Sequence, residues 1–563
     1  MTSLPALALL GFVGVAFASQ AEIGVPRPRG LHSTARHPPA QEGARFSQFD
    51  DWFRRYREGR IYFLSPGGRL PAGARLDTFE RDGELARVLL DCLRVRGRAA
   101  AERLLALAAF RFASEDAVEQ SRFGAHAPWR VRERALAALS QLSDEETLEY
   151  LTRDVLLGRD RVAPGKRAVA ASALGTLGAK SALTALYSAA SDPEAAVRDA
   201  AIGAAIVVGG PRASVLLRWL SDPSPEVRLR VLDAVARSIE THKHNGEAVE
   251  LQGALLRCLQ DEDWRVRDRT VEIVSLQPTK AAIAALIAAL QKEADLLASG
   301  AGRKRVQIRI GEALGKITGV EIPTLDAARW AKWWEVAAGS FQLGSEVTGR
   351  PHTRADGPAY FTIPIQTDRM VFMVDVSSSM AECYGAPPVV SGPAEPLAYS
   401  PKEGVWTKLD RVKNELIKTV RSLRDTDRFQ IIVFSDSTKA SFSRLEAATK
   451  DRKREAERFL SGLKPAGGTG LYDALADVLP LEGAPVGVSA DSPDTLFLLT
   501  DGEPTVGRVV DKSEILRRVA DANRISRVAI HTIFVGAADG ASGSFLTELA
   551  QSNGGIHRKV GER

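Results

Sequence analysis

Only three cysteines, Cys92, Cys258 and Cys383, occur in 563 residues. Three cannot build a disulfide framework, whatever the redox compartment. Cys92 and Cys258 fall at apolar positions of helical stretches and read as small core residues. The formal net charge is only +5, which disfavours a dedicated nucleic-acid binder, because such chains concentrate far more positive charge. After the apolar residues 4–18 there is no second long apolar run, so no membrane span is expected in the mature chain. The common catalytic signatures are missing as well. There is no Gly-x-x-x-x-Gly-Lys-Ser/Thr, no His-Glu-x-x-His and no Gly-x-Ser-x-Gly, and the eight histidines show no metal-ligand spacing. The expectation is a chain that is not an enzyme. Its 45% hydrophobic and 26% charged residues are ordinary for a folded protein, and its length suggests about three units.

The beginning of the chain reads as an export signal. Residues 4–18 are apolar, and Ala16-Phe17-Ala18 forms a small-x-small cleavage pattern before Ser19. A signal peptide over 1–18 therefore points to a periplasmic or extracellular protein. No Lys or Arg precedes the apolar run, which counts against this reading. A membrane anchor is the alternative, although the run is short for a span. Residues 19–82 are an N-terminal lead or cap, opening with Pro26, Pro28, Pro38 and Pro39. Phe49, Trp52, Phe53, Tyr56, Tyr62 and Phe63 lie among arginines. Such interleaving can serve single-stranded nucleic acid, but an aromatic cap on a repeat domain is favoured, because solenoids need atypical ends.

Residues 83–340 repeat. Val131-Arg132, Val197-Arg198, Val227-Arg228 and Val266-Arg267 each precede apolar residues at helical spacing, with Lys166-Arg167 and Ile308-Arg309 as related pairs. These arginines are 30 to 42 residues apart, the period of a two-helix solenoid. Asp192, Asp222 and Asp261 each stand six residues before an arginine. The pattern is similar to HEAT repeats, and the resemblance implies an Asp–Arg hydrogen-bonded ladder between neighbouring repeats. His126, Arg161 and Arg303 occupy the turn position elsewhere, so the ladder is expected to be incomplete there. Stacked helix pairs build an extended surface suited to a protein or peptide. Arg94-Val95-Arg96-Gly97-Arg98 and Arg303-Lys304-Arg305 read as solvated faces, with steering of an acidic partner as the sharper alternative. Trp330, Trp333 and Trp334 share one helix face and should close the last helix or seat it on the next domain.

A linker at 341–366 leads to a region, 367–563, that alternates strands and helices. Residues 370–374 are an apolar run into Asp375-Val376-Ser377-Ser378-Ser379. Gly467-Gly468-Thr469-Gly470 follows, and residues 496–499 lead into Thr500-Asp501-Gly502. Such alternation implies a mostly parallel, doubly wound, Rossmann-like α/β sheet with both faces covered. Its strands' carboxyl ends form the binding edge. Asp375, Ser377, Ser379, Thr469 and Asp501 would meet there as an all-oxygen cage. That donor set suits Mg²⁺ or Mn²⁺ better than Ca²⁺. Residues 381–406 are a Pro- and Gly-rich insertion directly after the metal loop, either an unstructured excursion or a lid. Within it, Glu382 is placed to reach the ion.

This triple pattern resembles the von Willebrand factor A domain and its metal-ion-dependent adhesion site. The resemblance implies that Ser377, Ser379 and sometimes Thr469 bind the ion directly, with Asp375 and Asp501 acting largely through water. An open position would accept an Asp or Glu from a partner protein. The expected molecule is thus multidomain: an N-terminal all-α HEAT-like solenoid and a C-terminal α/β von Willebrand factor A domain. Its expected function is metal-dependent protein–protein interaction. One alternative is an adaptor or subunit of an AAA+ ATPase or chelatase-like complex. The other is a nucleic-acid-associated scaffold.

Overall fold

Three of the recurring arginines of the helical region, Arg167, Arg198 and Arg267, each make two connections. In the computed structural model of the protein, Arg198 donates to the carbonyls of Asp192 and Pro193 in its own turn, at 3.0 and 2.8 Å. Its other nitrogens fork onto the Asp222 carboxylate of the next turn, at 2.8 and 2.9 Å. Arg167 forks onto Asp192 in the same way, at 3.1 and 2.8 Å. Asp192 and Asp222 also accept the backbone N–H of Glu194 and Ser224. One carboxylate therefore closes its own turn and receives the preceding repeat's arginine, in charge-assisted bidentate bonds.

The structure describes residues 46–58, 60–63, 79–80, 83–111, 128–210, 213–241, 246–276, 278–320, 322, 325–343, 358–384, 398–399, 401, 406–481, 492–536 and 540–561. The signal peptide expected at 1–18, the start of the lead, and residues 385–397 of the insertion lie outside these. The chain forms two compact units, 1–248 and 249–563. Among the described residues no helix is long and apolar enough to cross a membrane.

In the first unit, Ser47–Arg57 is the first helix among the described residues. Phe46, Phe49, Trp52 and Tyr56 are all buried, and Phe110 meets the rings of Phe53 and Tyr56 at 5.8 and 5.9 Å. Phe46, Phe49, Trp52 and Tyr56 are thus buried in packing rather than exposed.

The second unit holds helices Trp264–Leu276, Lys280–Ala298, Lys304–Thr318 and Ala327–Ala337. Trp330 is fully buried and meets Trp333 edge to face at 5.7 Å, while Trp333 and Trp334 both touch Phe341. The tryptophan face thus closes the last helix. The ladder was expected to break at position 303, and the structure corrects this. Arg267 forks onto Glu293 at 2.8 and 3.2 Å, and Glu293 accepts the Arg303 N–H at 2.7 Å. A longer acidic side chain, ten residues upstream, does the work of the missing turn aspartate.

The same unit contains a seven-stranded sheet. Its strands are β1 (Arg369–Asp375), β2 (Arg428–Phe434), β3 (Thr438–Ala440), β4 (Glu446–Ala447), β5 (Thr495–Thr500), β6 (Ala529–Val535) and β7 (His557–Val560). The order is β7-β6-β5-β1-β2-β3, with β4 also on β2. The first five of these are mutually parallel, and β3 and β4 run antiparallel to β2. Every residue of β1 and β5 is buried, as a parallel sheet covered on both faces demands. Within the stretch read as a linker, Ala359–Tyr360 and Ile363–Pro364 pair antiparallel, and Tyr360 packs against Phe372 and Phe497 of the core. His531 stacks on Phe497 at 4.9 Å, and burial pulls its imidazole down to about 4, so this half-buried strand histidine is neutral at physiological pH.

The amino ends of the strands are fastened to the preceding helices. Arg305 donates to the carbonyls of Asp494 and Arg527, just before β5 and β6, and Arg303 donates to Ser492 O at 3.1 Å. Arg369 donates to Gly302 O at 3.3 Å, and Asp368 accepts the Lys304 N–H at 3.2 Å. Asp268, whose side chain is fully buried, receives Arg309 at 3.0 Å and Arg527 at 2.9 Å, with Arg305 at 3.7 Å. The reading of Arg303-Lys304-Arg305 as a solvated or steering patch is therefore corrected. Arg303 and Arg305 are buried, and burial pulls both down to about 10, which leaves them cationic at neutral pH.

Burial alone would raise the Asp268 carboxyl, but Arg309, Arg305 and Arg527 outweigh it and hold it well below the usual carboxylate range. A depressed folded pKa contributes stability above the unfolded value, about 4, and that stability is lost as pH falls. Asp268→Ala should cost ~3–5 kcal/mol in urea unfolding at neutral pH, because three guanidiniums lose their shared partner. The variant should also lose less further stability than the wild type between about pH 5 and pH 2. Equal acid sensitivity would contradict this assignment.

Candidate metal centre

The strand order reverses between β1 and β5. Chain leaving β1 goes to β2 on one side, while β5 lies on the other. Such a switch point opens a crevice beyond the carboxyl ends of the two strands. Register sets Val374 beside Leu499, so Asp375 and Thr500 end their strands at the same level. Asp375 Oδ2 accepts the Thr500 hydroxyl at 2.6 Å, and its Oδ1 accepts the Ser377 N–H at 2.8 Å. The chain then enters a short 3₁₀ turn, Ser378–Ala381. Ser377 Oγ lies 3.1 Å from Ser379 Oγ, and Ser379 donates to Asp501 Oδ1 at 2.8 Å. Four of the five residues read as ligands thus form one hydrogen-bonded chain: Asp375, Ser377, Ser379 and Asp501.

The fifth, Thr469, sits on the adjoining glycine-rich loop. Ala466 N–H donates to Val376 O at 2.8 Å and Ser378 N–H to Gly467 O at 3.0 Å, which stitches the two loops together. Thr469 is buried, and its N–H donates to Thr505 Oγ1 at 2.8 Å. Gly470 N–H donates to Ser435 O at 2.8 Å. A Cβ at position 470 would lie 2.6 Å from that carbonyl oxygen, so glycine is required for this approach.

The site carries an electrostatic conflict. Asp375 is buried, and the buried Asp501 carboxylate is its neighbour. Burial, with a smaller contribution from Asp501, pushes the Asp375 carboxyl up to about 6, against hydrogen bonds from Ser377 and Thr500. A cation would relieve this. The donors are all oxygens, two carboxylates among hydroxyls, which is the donor chemistry a small hard divalent ion takes. The residues present therefore fit a small divalent ion. Among the described residues no cluster of three or more His, Cys, Asp or Glu is assembled, so the candidate centre rests on two carboxylates and hydroxyls.

Sequence reasoning missed Lys408. It opens helix Lys408–Ser422, which a Thr407/Asp410 capping box starts. Its Nζ lies 2.8 Å from Asp501 Oδ2 and 2.5 Å from Glu382 Oε2. Burial opposes its charge, but the two carboxylates outweigh burial and hold its ammonium above the ordinary lysine value. Lysine in a first helical turn meets the positive end of the helix; that misplaced charge was the available signal. Glu382 was expected to reach the ion, whereas here its carboxylate pairs with Lys408. Backbone bonds from Lys408 N–H to Glu382 O (3.0 Å) and from Tyr384 N–H to Trp406 O (2.8 Å) zip the two ends of the insertion into a neck.

Residues 405–558 match the model of the von Willebrand factor type A domain, and residues 213–304 match that of HEAT repeats. The first match includes Thr469 and Asp501 and begins after the Asp375 loop. The chain is 32% identical over 162 residues to human inter-alpha-trypsin inhibitor heavy chain H4, covering 28% of this chain and 17% of that protein. It is 27% identical over 150 residues to heavy chain H2 of Mesocricetus auratus, covering 26% and 15%. The chain thus spans less than a fifth of the length of these relatives. A solved von Willebrand factor type A structure from Catenulispora acidiphila matches at 16% identity and a TM-score of 0.24, over 34% of this chain and 38% of that one.

Gly470→Ala should destabilise the second unit by about 1–3 kcal/mol, as overpacking against fixed backbone does. Gly502→Ala, where a Cβ meets nothing within 4 Å, should leave thermal unfolding nearly unchanged. Equal melting temperatures for the two variants would contradict the close approach at Ser435.

Proposed function

We propose that the von Willebrand factor type A domain of this chain, which follows its HEAT repeats, binds Mg²⁺ or Mn²⁺ and through it an acidic group of a protein partner. The observation that carries this reading is the crevice at the β1/β5 switch point, where two buried carboxylates and two serine hydroxyls converge in one hydrogen-bonded chain. Asp375, Ser377, Ser379, Thr469 and Asp501 would hold the ion, which supplies the positive charge that a partner's Asp or Glu requires. Thr500 and the Ser377 N–H orient Asp375, and Thr469 would be supplied by the glycine-rich loop stitched to the Asp375 loop. In this reading the chain is not an enzyme, and the helical repeats are a scaffold that offers a second surface to a protein or peptide. The apolar residues 4–18 and the Ala-Phe-Ala that ends them support export to the periplasm or the extracellular space.

The test is calorimetric titration of the full chain with Mg²⁺ and Mn²⁺, followed by capture of partners with and without EDTA. Asp375→Ala and Asp501→Ala should each weaken metal binding by about 10- to 100-fold while keeping a native circular dichroism spectrum. Partner capture should be lost in EDTA and in both variants. Undiminished metal affinity in folded Asp501→Ala would refute the assignment of the site. A partner retained in EDTA would place recognition on another surface.

A further inference from the structure

Lys408 is held where two effects disfavour a cation. Its side chain is only 9% exposed, and it lies at the positive end of its own helix. Asp501 and Glu382 compensate, at 2.8 and 2.5 Å. The two carboxylates differ in setting. Asp501 has a fully buried side chain, whereas that of Glu382 is 64% exposed at the neck of the insertion. With Ser379 on Oδ1 and Lys408 on Oδ2, both oxygens of Asp501 are engaged.

A divalent ion drawing on Asp501 and the serine hydroxyls would meet the ammonium at the same carboxylate. Two cations cannot share it without strong repulsion at such distances. The lysine has a flexible stem and a second carboxylate already within reach. We propose that Lys408 is a tethered counter-ion: it neutralises Asp501 in the metal-free domain and passes to Glu382 when a divalent ion binds. This rests on the metal-binding reading above and deepens it. Lys408 sets the cation concentration at which the site loads, and the exchange connects metal binding to the neck of the insertion.

The experiment is titration of the full chain with Mn²⁺ alone, following free Mn²⁺ by electron paramagnetic resonance. The chains compared are the wild type, Lys408→Met, Lys408→Gln, Glu382→Gln and the double variant Lys408→Met with Glu382→Gln, each checked for folding by circular dichroism. Loss of the competing charge should tighten Mn²⁺ binding by about tenfold or more in either lysine variant. Glu382→Gln removes the second seat and should weaken binding several-fold in the wild-type background, but should have no effect once Lys408 is gone. Binding detected only in the lysine variants would also support the proposal.

Wild-type binding with unchanged or weaker affinity in folded lysine variants would overturn it, leaving Lys408 a structural ion pair. A Glu382→Gln effect that persists without Lys408 would overturn it too, because Glu382 would then act on the ion directly. Absence of Mn²⁺ binding in the wild type and both lysine variants would overturn the metal-binding reading itself.

Discussion

Two carboxylates with no exposed surface, Asp375 and Asp501, at the carboxyl ends of neighbouring parallel strands are the constraint around which the second unit is arranged. Ionised groups are costly to bury without compensation, so every element nearby answers that cost. Thr500 and the Ser377 backbone donate to Asp375. Ser379 and Lys408 engage Asp501. The glycine-rich loop that carries Thr469 packs against Ser435 only because position 470 has no Cβ. Each compensation is partial: hydroxyls bring no charge, and the lysine reaches one of the two carboxylates. The remaining deficit is negative charge, which the proposed divalent ion would offset.

The opposite edge of the same sheet is treated differently. Its charges, Asp268, Arg305, Arg309 and Arg527, are matched within the unit. The amino ends of β1, β5 and β6 are therefore occupied by the helices from 264 to 318, while Asp375 and Asp501 stand at the carboxyl ends. The attached helices fix the sheet from its amino edge. Arg527 is held in a left-handed conformation (φ 58°) at the end of helix Lys512–Ser526. That local cost is offset by the same ion cluster, since its guanidinium meets both Asp268 and Glu272.

Much of this architecture was legible because it is written at short range. The apolar runs before Asp375 and Asp501, the Gly-rich loop and the Val-Arg period each occupy a few consecutive residues, and each determines its element locally. The repeat arginines and turn aspartates could be paired because the period itself places them in neighbouring turns. What escaped is what depends on contacts across long separations. Lys408 meets Asp501 across 93 residues, and Arg305 meets Asp494 across 189. A basic run such as Arg303-Lys304-Arg305 looks solvated until the sheet it caps is known. Glu293 replaced a turn aspartate from inside a helix, where no turn signal marks it. Signals existed in retrospect: a lysine at a helix start, and charged residues (Asp368, Asp494, Arg527) just before strands that are otherwise apolar.

The most direct measurement is a crystal of the second unit's metal centre, within the full chain, soaked in Mn²⁺ and examined for anomalous scattering. A single manganese peak among Ser377, Ser379, Thr469 and Asp501, with the Lys408 ammonium withdrawn toward Glu382, is the predicted result. No peak there at saturating Mn²⁺, with Lys408 still seated on Asp501, would contradict a metal-dependent site.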